Sequence, residues 1–71
     1  MRIKSKVSEL GPKVNINNAY QLSRAAAIDY RTAQTLWKNI GGDLSLVKLL
    51  TWLKVARALG ETVDASFEVI E

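Results

Sequence analysis

The chain contains no cysteine and no histidine. A disulfide framework and a zinc cage of thiolates and imidazoles are therefore excluded, and 71 residues must hold together by packing alone. The same absence removes the common catalytic arrangements. Seven carboxylates without an imidazole or thiol supply neither a metal constellation nor an activated nucleophile, so no enzyme, metal, cofactor or small-molecule substrate is expected. Long apolar runs are missing too: none approaches the roughly 20 residues that span a bilayer. Arg2, Lys4 and Lys6 lie near the start but no apolar run follows them, so neither a signal peptide nor a membrane partner is expected, and the expected location is the cytoplasm. A chain this short has too much surface for two cores, which makes residues 1–71 a single domain.

What is present is a hydrophobic fraction of 48%, ordinary for a globular fold, and an uneven distribution of charge. Residues 61–71 hold Glu61, Asp64, Glu68 and Glu71 and no base. Residues 1–60 hold ten bases against three acids, a net +7 within an overall +3. A body this basic attracts phosphate backbones, whereas an acidic tail is suited to folding back onto lysines or facing a partner.

Periodicity divides the chain into short elements. Met1, Ile3 and Val7 alternate with Arg2, Lys4 and Lys6 as in a half-buried strand, with Ser5 breaking the apolar side. Ser8 can cap a helix of one or two turns through about Val14, weakened by Gly11 and Pro12. Asn18, with Gln21 three residues on, forms an approximate capping box for a helix from Ala19 to about Ala26, and Asn17 and Asn18 also suit a turn. Asp29 is a good N-cap for a second helix from Tyr30 to about Asn39, which sets Ala33, Leu36, Trp37 and Ile40 on one face and stops at Gly41-Gly42. Asp43 or Ser45 can cap a last long helix that runs to Leu59 and ends at Gly60. Its apolar residues form two stripes: Leu49, Trp52, Ala56 and Leu59, and beside them Leu46, Leu50 and Leu53. Asp64 can cap one turn through Phe67, and residues 68–71 read as a strand that can pair with the first, setting Glu68 or Glu71 near Lys4 or Lys6 for roughly 0.2–1 kcal/mol per opposite-charge pair. The fold class is thus mainly α, with four to five short helices and short terminal strands.

Two short helices joined by three residues, the second with a polar, basic face, meet the requirements of a helix-turn-helix over about 19–39. Arg31, Thr32, Gln34 and Thr35 supply donors and acceptors near the start of a helix narrow enough for the major groove, and Lys38 lies a turn further on, suited to phosphate or to the helix dipole. Tyr30 is suited to sugar, phosphate or packing on the first helix. Trp37 and Trp52 lie on apolar stripes and are expected in the core.

The run Ala19-Tyr20-Gln21-Leu22-Ser23-Arg24-Ala25-Ala26-Ala27-Ile28-Asp29-Tyr30-Arg31-Thr32-Ala33 resembles the motif of phage Cro and repressor-type (Xre-like) regulators. The later segment from Leu49 to Leu59-Gly60 resembles that family's following helix with its Ala-Leu-Gly ending. The resemblance covers roughly residues 17–60 and implies a lambda-repressor-like DNA-binding domain, a sequence-specific transcriptional repressor that binds double-stranded DNA as a homodimer. It also implies DNA contacts by Tyr30, Arg31, Thr32 and Gln34, with Thr35 beside them, and phosphate contacts by Asn18, Gln21 and Arg24. The chain departs from the family pattern at Ser23, at Ala27 where glycine is favoured in the turn, and at Ala33 where a branched residue is favoured. At a positive φ, Ala27 carries a strain of about 1–2 kcal/mol that glycine avoids.

Two uses of the second leucine stripe stay open: packing on the N-terminal segment, or a dimer face. A second functional class also remains, a protein-interaction module, antitoxin-like or an accessory subunit, that keeps the fold and reads protein through the leucines or the acidic tail.

Overall fold

A computed structural model describes residues 2–41, 44, 45 and 47–70. The expectations placed on Met1, Gly42, Asp43, Leu46 and Glu71 lie outside the described residues. The order of elements is β1 (Arg2–Ser5), α1 (Val7–Leu10), a 3-10 turn (Gly11–Val14), α2 (Ala19–Ala26), α3 (Tyr30–Lys38), α4 (Leu49–Leu59), a second 3-10 turn (Asp64–Ser66) and β2 (Phe67–Ile70). The domain is mainly helical with one two-stranded antiparallel sheet. No helix among the described residues is long and apolar enough to cross a membrane.

Each of the four helices contributes one large, fully buried aliphatic side chain: Val7, Leu22, Leu36 and Val55. Around these close Ile16, Leu44, Trp52 and Leu59, so one core is shared by every element. α2 packs against both α3 and α4. Trp52 is buried and meets the Phe67 ring of β2 at 5.2 Å, which fixes the sheet to α4. Trp37 is half-buried against the same core. It lies over Gly11, where a β-carbon would sit 2.5 Å from the Ile16 carbonyl and 3.1 Å from the indole, so the first 3-10 turn admits only glycine there.

The terminal strands pair as expected, with Lys4 opposite Glu68 and Ser5 opposite Phe67. Ser5, the polar break on the apolar side, is buried and productive: its Oγ accepts from the Val7 amide at 3.1 Å. Hence α1 begins at Val7 and not behind a Ser8 cap. α2 and its Asn18 cap match expectation, the Gln21 amide donating to Asn18 Oδ1 at 2.8 Å. The return bond differs by one residue, because Gln21 Oε1 accepts from Asn17 rather than from the cap itself, at 2.7 Å.

Three boundaries move. α3 ends at Lys38, one residue early, because Asn39 adopts the left-handed conformation at φ 54. Ile40 is consequently carried off the helix and is 54% exposed rather than an anchor. α4 starts at Leu49 behind Lys48 with no side-chain cap, so Ser45 does not cap it. Its buried face is Trp52, Val55, Ala56 and Leu59, while Leu49, Leu50 and Leu53 remain exposed. Leu49 therefore leaves the buried stripe, and Leu50 and Leu53 do not pack on the N-terminal segment. Near the end, Thr62 rather than Asp64 supplies the side-chain oxygen, accepting from Ala65 at 3.3 Å, and β2 begins at Phe67.

Candidate nucleic-acid interface

The joint between α2 and α3 is three residues long, and its first residue decides its shape. Ala27 stands at φ 57, the left-handed region that glycine enters freely and alanine does not. Its amide still closes α2 on the Ser23 carbonyl, and Ile28 bonds the same oxygen at 3.1 Å. Ser23, the second departure from the family pattern, is buried, and its hydroxyl donates to the Tyr20 carbonyl at 2.7 Å. Ala33, the third, has no exposed surface.

Asp29 then starts α3. Its Oδ2 accepts from the Thr32 amide at 3.1 Å and its Oδ1 from the Thr32 hydroxyl at 2.7 Å. Those two bonds, the hydroxyl first, hold the exposed Asp29 carboxyl below its ordinary pKa. With the carboxylate at the positive end of the helix dipole, the start of α3 is fixed from its first turn.

With Ala33 and Leu36 buried, helical spacing turns Arg31, Thr35 and Lys38 to the opposite side, with Gln34 beside them. Arg31 and Lys38 are exposed, and Gln34 and Thr35 half-exposed. The polar groups are not idle. Gln34 Nε2 donates to the Tyr30 hydroxyl at 3.0 Å, and the Thr35 hydroxyl donates to the Arg31 carbonyl at 3.0 Å. Thr32 points its hydroxyl to Asp29 and lies to one side. Together with Asp29, Thr35, Val47, Lys48 and Thr51 it lines a cleft between the starts of α3 and α4.

The exposed side of α2 joins the same surface through aromatic contacts. The Arg24 guanidinium lies 5.9 Å from the centre of the Tyr20 ring, and Tyr20 meets Tyr30 edge-on at 6.4 Å. Arg24, Tyr20, Tyr30 and Gln34 thus form a continuous chain across the joint. Asn18 and Gln21 are exposed at the entry to α2. Each spends its side-chain oxygen on a backbone amide, so what its side chain can still offer a partner is the amide N–H donor, the polarity that a phosphate oxygen requires.

Of the nine predicted contact residues, Tyr30, Arg31, Gln34, Thr35, Lys38 and Arg24 share one surface, Asn18 and Gln21 lie at its edge, and Thr32 belongs to the neighbouring cleft. Two further residues were not predicted, Tyr20 of this surface and Lys48 of the neighbouring cleft. Tyr20 was legible from its four-residue spacing to Arg24. Lys48 was legible as a cation placed before a helix N-terminus, where the dipole disfavours it. No close ion pair joins two of the described residues. Comparison with family models, with curated proteins and with solved structures finds no match for this chain.

Proposed function

We propose that this chain is a sequence-specific double-stranded-DNA-binding transcriptional regulator of the Cro/repressor type, a repressor that acts as a homodimer. The observation that carries the reading is the arrangement of α3. It buries Ala33 and Leu36, is braced by α2 through a three-residue joint, and turns Arg31, Gln34, Thr35 and Lys38 outward. In this reading α3 is the recognition helix of a helix-turn-helix lying in the major groove. Arg31 and Gln34 meet base edges, Thr35 lines the approach, and Lys38, Arg24, Asn18 and Gln21 hold flanking phosphates. Tyr30 packs on Tyr20 and presents Gln34, and Thr32 acts through the Asp29 cap, with Lys48 close enough to the same cleft to add a phosphate contact.

The test is titration of duplexes selected from a random DNA pool, at several salt concentrations, with wild type and Arg31→Ala. Wild-type affinity falls steeply as salt rises, because cations are released from phosphates. Arg31→Ala weakens binding by about 1–3 kcal/mol and relaxes preference at one base pair. Equal affinities for the two proteins would defeat the proposal.

A second reading, a protein-interaction module with an antitoxin-like or accessory role, is favoured by one observation: Leu49, Leu50 and Leu53 stand exposed on α4. Binding through those leucines responds weakly to salt, which separates it from the first reading.

A further inference from the structure

α4 is apolar on two sides and covered on one. Trp52, Val55, Ala56 and Leu59 face the core. On the other side Leu49, Leu50 and Leu53 are 65%, 60% and 43% exposed, and the exposed Lys54 and Arg57 continue them at helical spacing. Leu50, Leu53, Lys54 and Arg57 thus form one row, half leucine and half base, on a helix that holds no acid. The first acid after α4, Glu61, lies beyond the left-handed Gly60. Where α4 packs beside α2, Lys54, Arg57 and Ala58 border a shallow hollow of about 270 Å³, and Ala25 and Ala26 of α2, a helix also without acids, complete its lining. Neither Lys54 nor Arg57 makes a close ion pair with a described residue.

We infer that this row is the docking site of an acidic amphipathic helix belonging to another protein. Leucines this exposed call for an apolar counterpart, which a phosphate backbone does not supply, so the row does not extend the nucleic-acid surface. The two bases beside them, on helices that hold no acid, favour carboxylates on the partner and oppose a basic one. The row from Leu49 to Arg57 extends about 12 Å at 1.5 Å per residue, a straight edge that about two turns of a second helix match. Such a helix lays apolar residues at i, i+3 and i+4 on the leucines and directs its carboxylates to Lys54 and Arg57, where the short alanine side chains leave the hollow open. A second copy of the row does not match it: set parallel, base meets base, and set antiparallel, leucine meets base. The contact is small, so binding is weak and reversible.

The inference rests on the second reading's premise that the leucines bind protein and gives them a partner of stated chemistry; DNA binding by α3 stands or falls separately. The test is selection, on the immobilised full chain, from a displayed library of peptides four helical turns long with leucines fixed at helical spacing and all other positions free. Selected peptides should carry Asp and Glu beside the leucines. Their affinity, read by fluorescence anisotropy, should fall about tenfold or more for Leu50→Gln/Leu53→Gln and for Lys54→Glu/Arg57→Glu, with unchanged far-ultraviolet circular dichroism. The same peptides with lysine in place of each acid should recover binding to Lys54→Glu/Arg57→Glu. Peptides that need the leucines but show no acidic bias would overturn the inference and spare the premise. A selection without binders, or binding that neither double variant weakens, would overturn both. Displacement of the peptides by duplex DNA, or capture of wild type but not of Leu50→Gln/Leu53→Gln by anionic phospholipid vesicles, would assign the row to nucleic acid or to a lipid surface instead.

Discussion

Ala27 and Asn39 end consecutive helices in nearly the same backbone conformation, φ 57 and φ 54, and use it differently. At Ala27 the left-handed turn brings α3 against α2, and the methyl group contributes no hydrogen bond in return. At Asn39 the same turn aims a side-chain amide at β1, where it bonds both main-chain groups of Ser5 as a neighbouring strand would. Asparagine tolerates this region better than alanine and here converts it into a long-range tie. The joint between the two helices of the candidate motif is thus held by main-chain bonds to Ser23 and by the Asp29 cap, whereas the joint between α3 and the sheet is held by the side chain of the left-handed residue itself.

Substitutions should separate the two joints, and the largest effect is expected at Asn39. Asn39→Ala leaves the buried Ser5 amide without its partner and puts alanine in the left-handed region, a loss of about 2–4 kcal/mol by urea unfolding. Asn39→Gly removes the same bonds but relieves the backbone, so about 1–2 kcal/mol is expected. Equal losses for the two variants would show that the bonds to Ser5 outweigh the conformation. Ala27→Gly should move the other way, raising stability by about 1 kcal/mol, since nothing but strain is lost there. A destabilised Ala27→Gly would mean that the methyl group packs.

The smallest effect belongs to the end of the α2–α3 joint. Asp29 titrates below its ordinary value in the folded chain, so its stabilisation is fully present above the unfolded-state pKa and is lost as pH falls through the lower folded value. The difference in melting temperature between wild type and Asp29→Asn should be largest near neutral pH and close in acid. A difference that persists at the acid end would assign the effect to packing instead.

Local signals were legible wherever the chemistry was local. The Asn18 and Asp29 caps, the α2 and α3 starts, the glycine end of α4 and the strain at Ala27 all follow from residues within one turn of each other. The pairing of the termini was legible because both ends read as short strands, each the natural partner of the other. What failed was distant. Nothing near Asn39 indicates that Ser5, 34 residues earlier, accepts and donates there, so the stop was assigned to Gly41. The exposure of Leu49, Leu50 and Leu53 was equally hidden, because periodicity counts apolar residues without counting the faces that neighbouring elements cover. Within the candidate site the outward residues of α3 were legible from its buried face. The diversion of Thr32 to Asp29 and of Gln34 to Tyr30 was not, since it depends on which rotamers the helix surface brings together.

The clasp at Ser5 also bears on the order in which the chain folds. Helices α2 and α3 condense from contacts within a few tens of residues, but Ser5 must meet Asn39 on one side and Phe67 on the other. Closing those loops costs configurational entropy before any bond forms, which makes the clasp a late event on the folding path. Disturbing Ser5 should accordingly accelerate unfolding while leaving the refolding rate nearly unchanged.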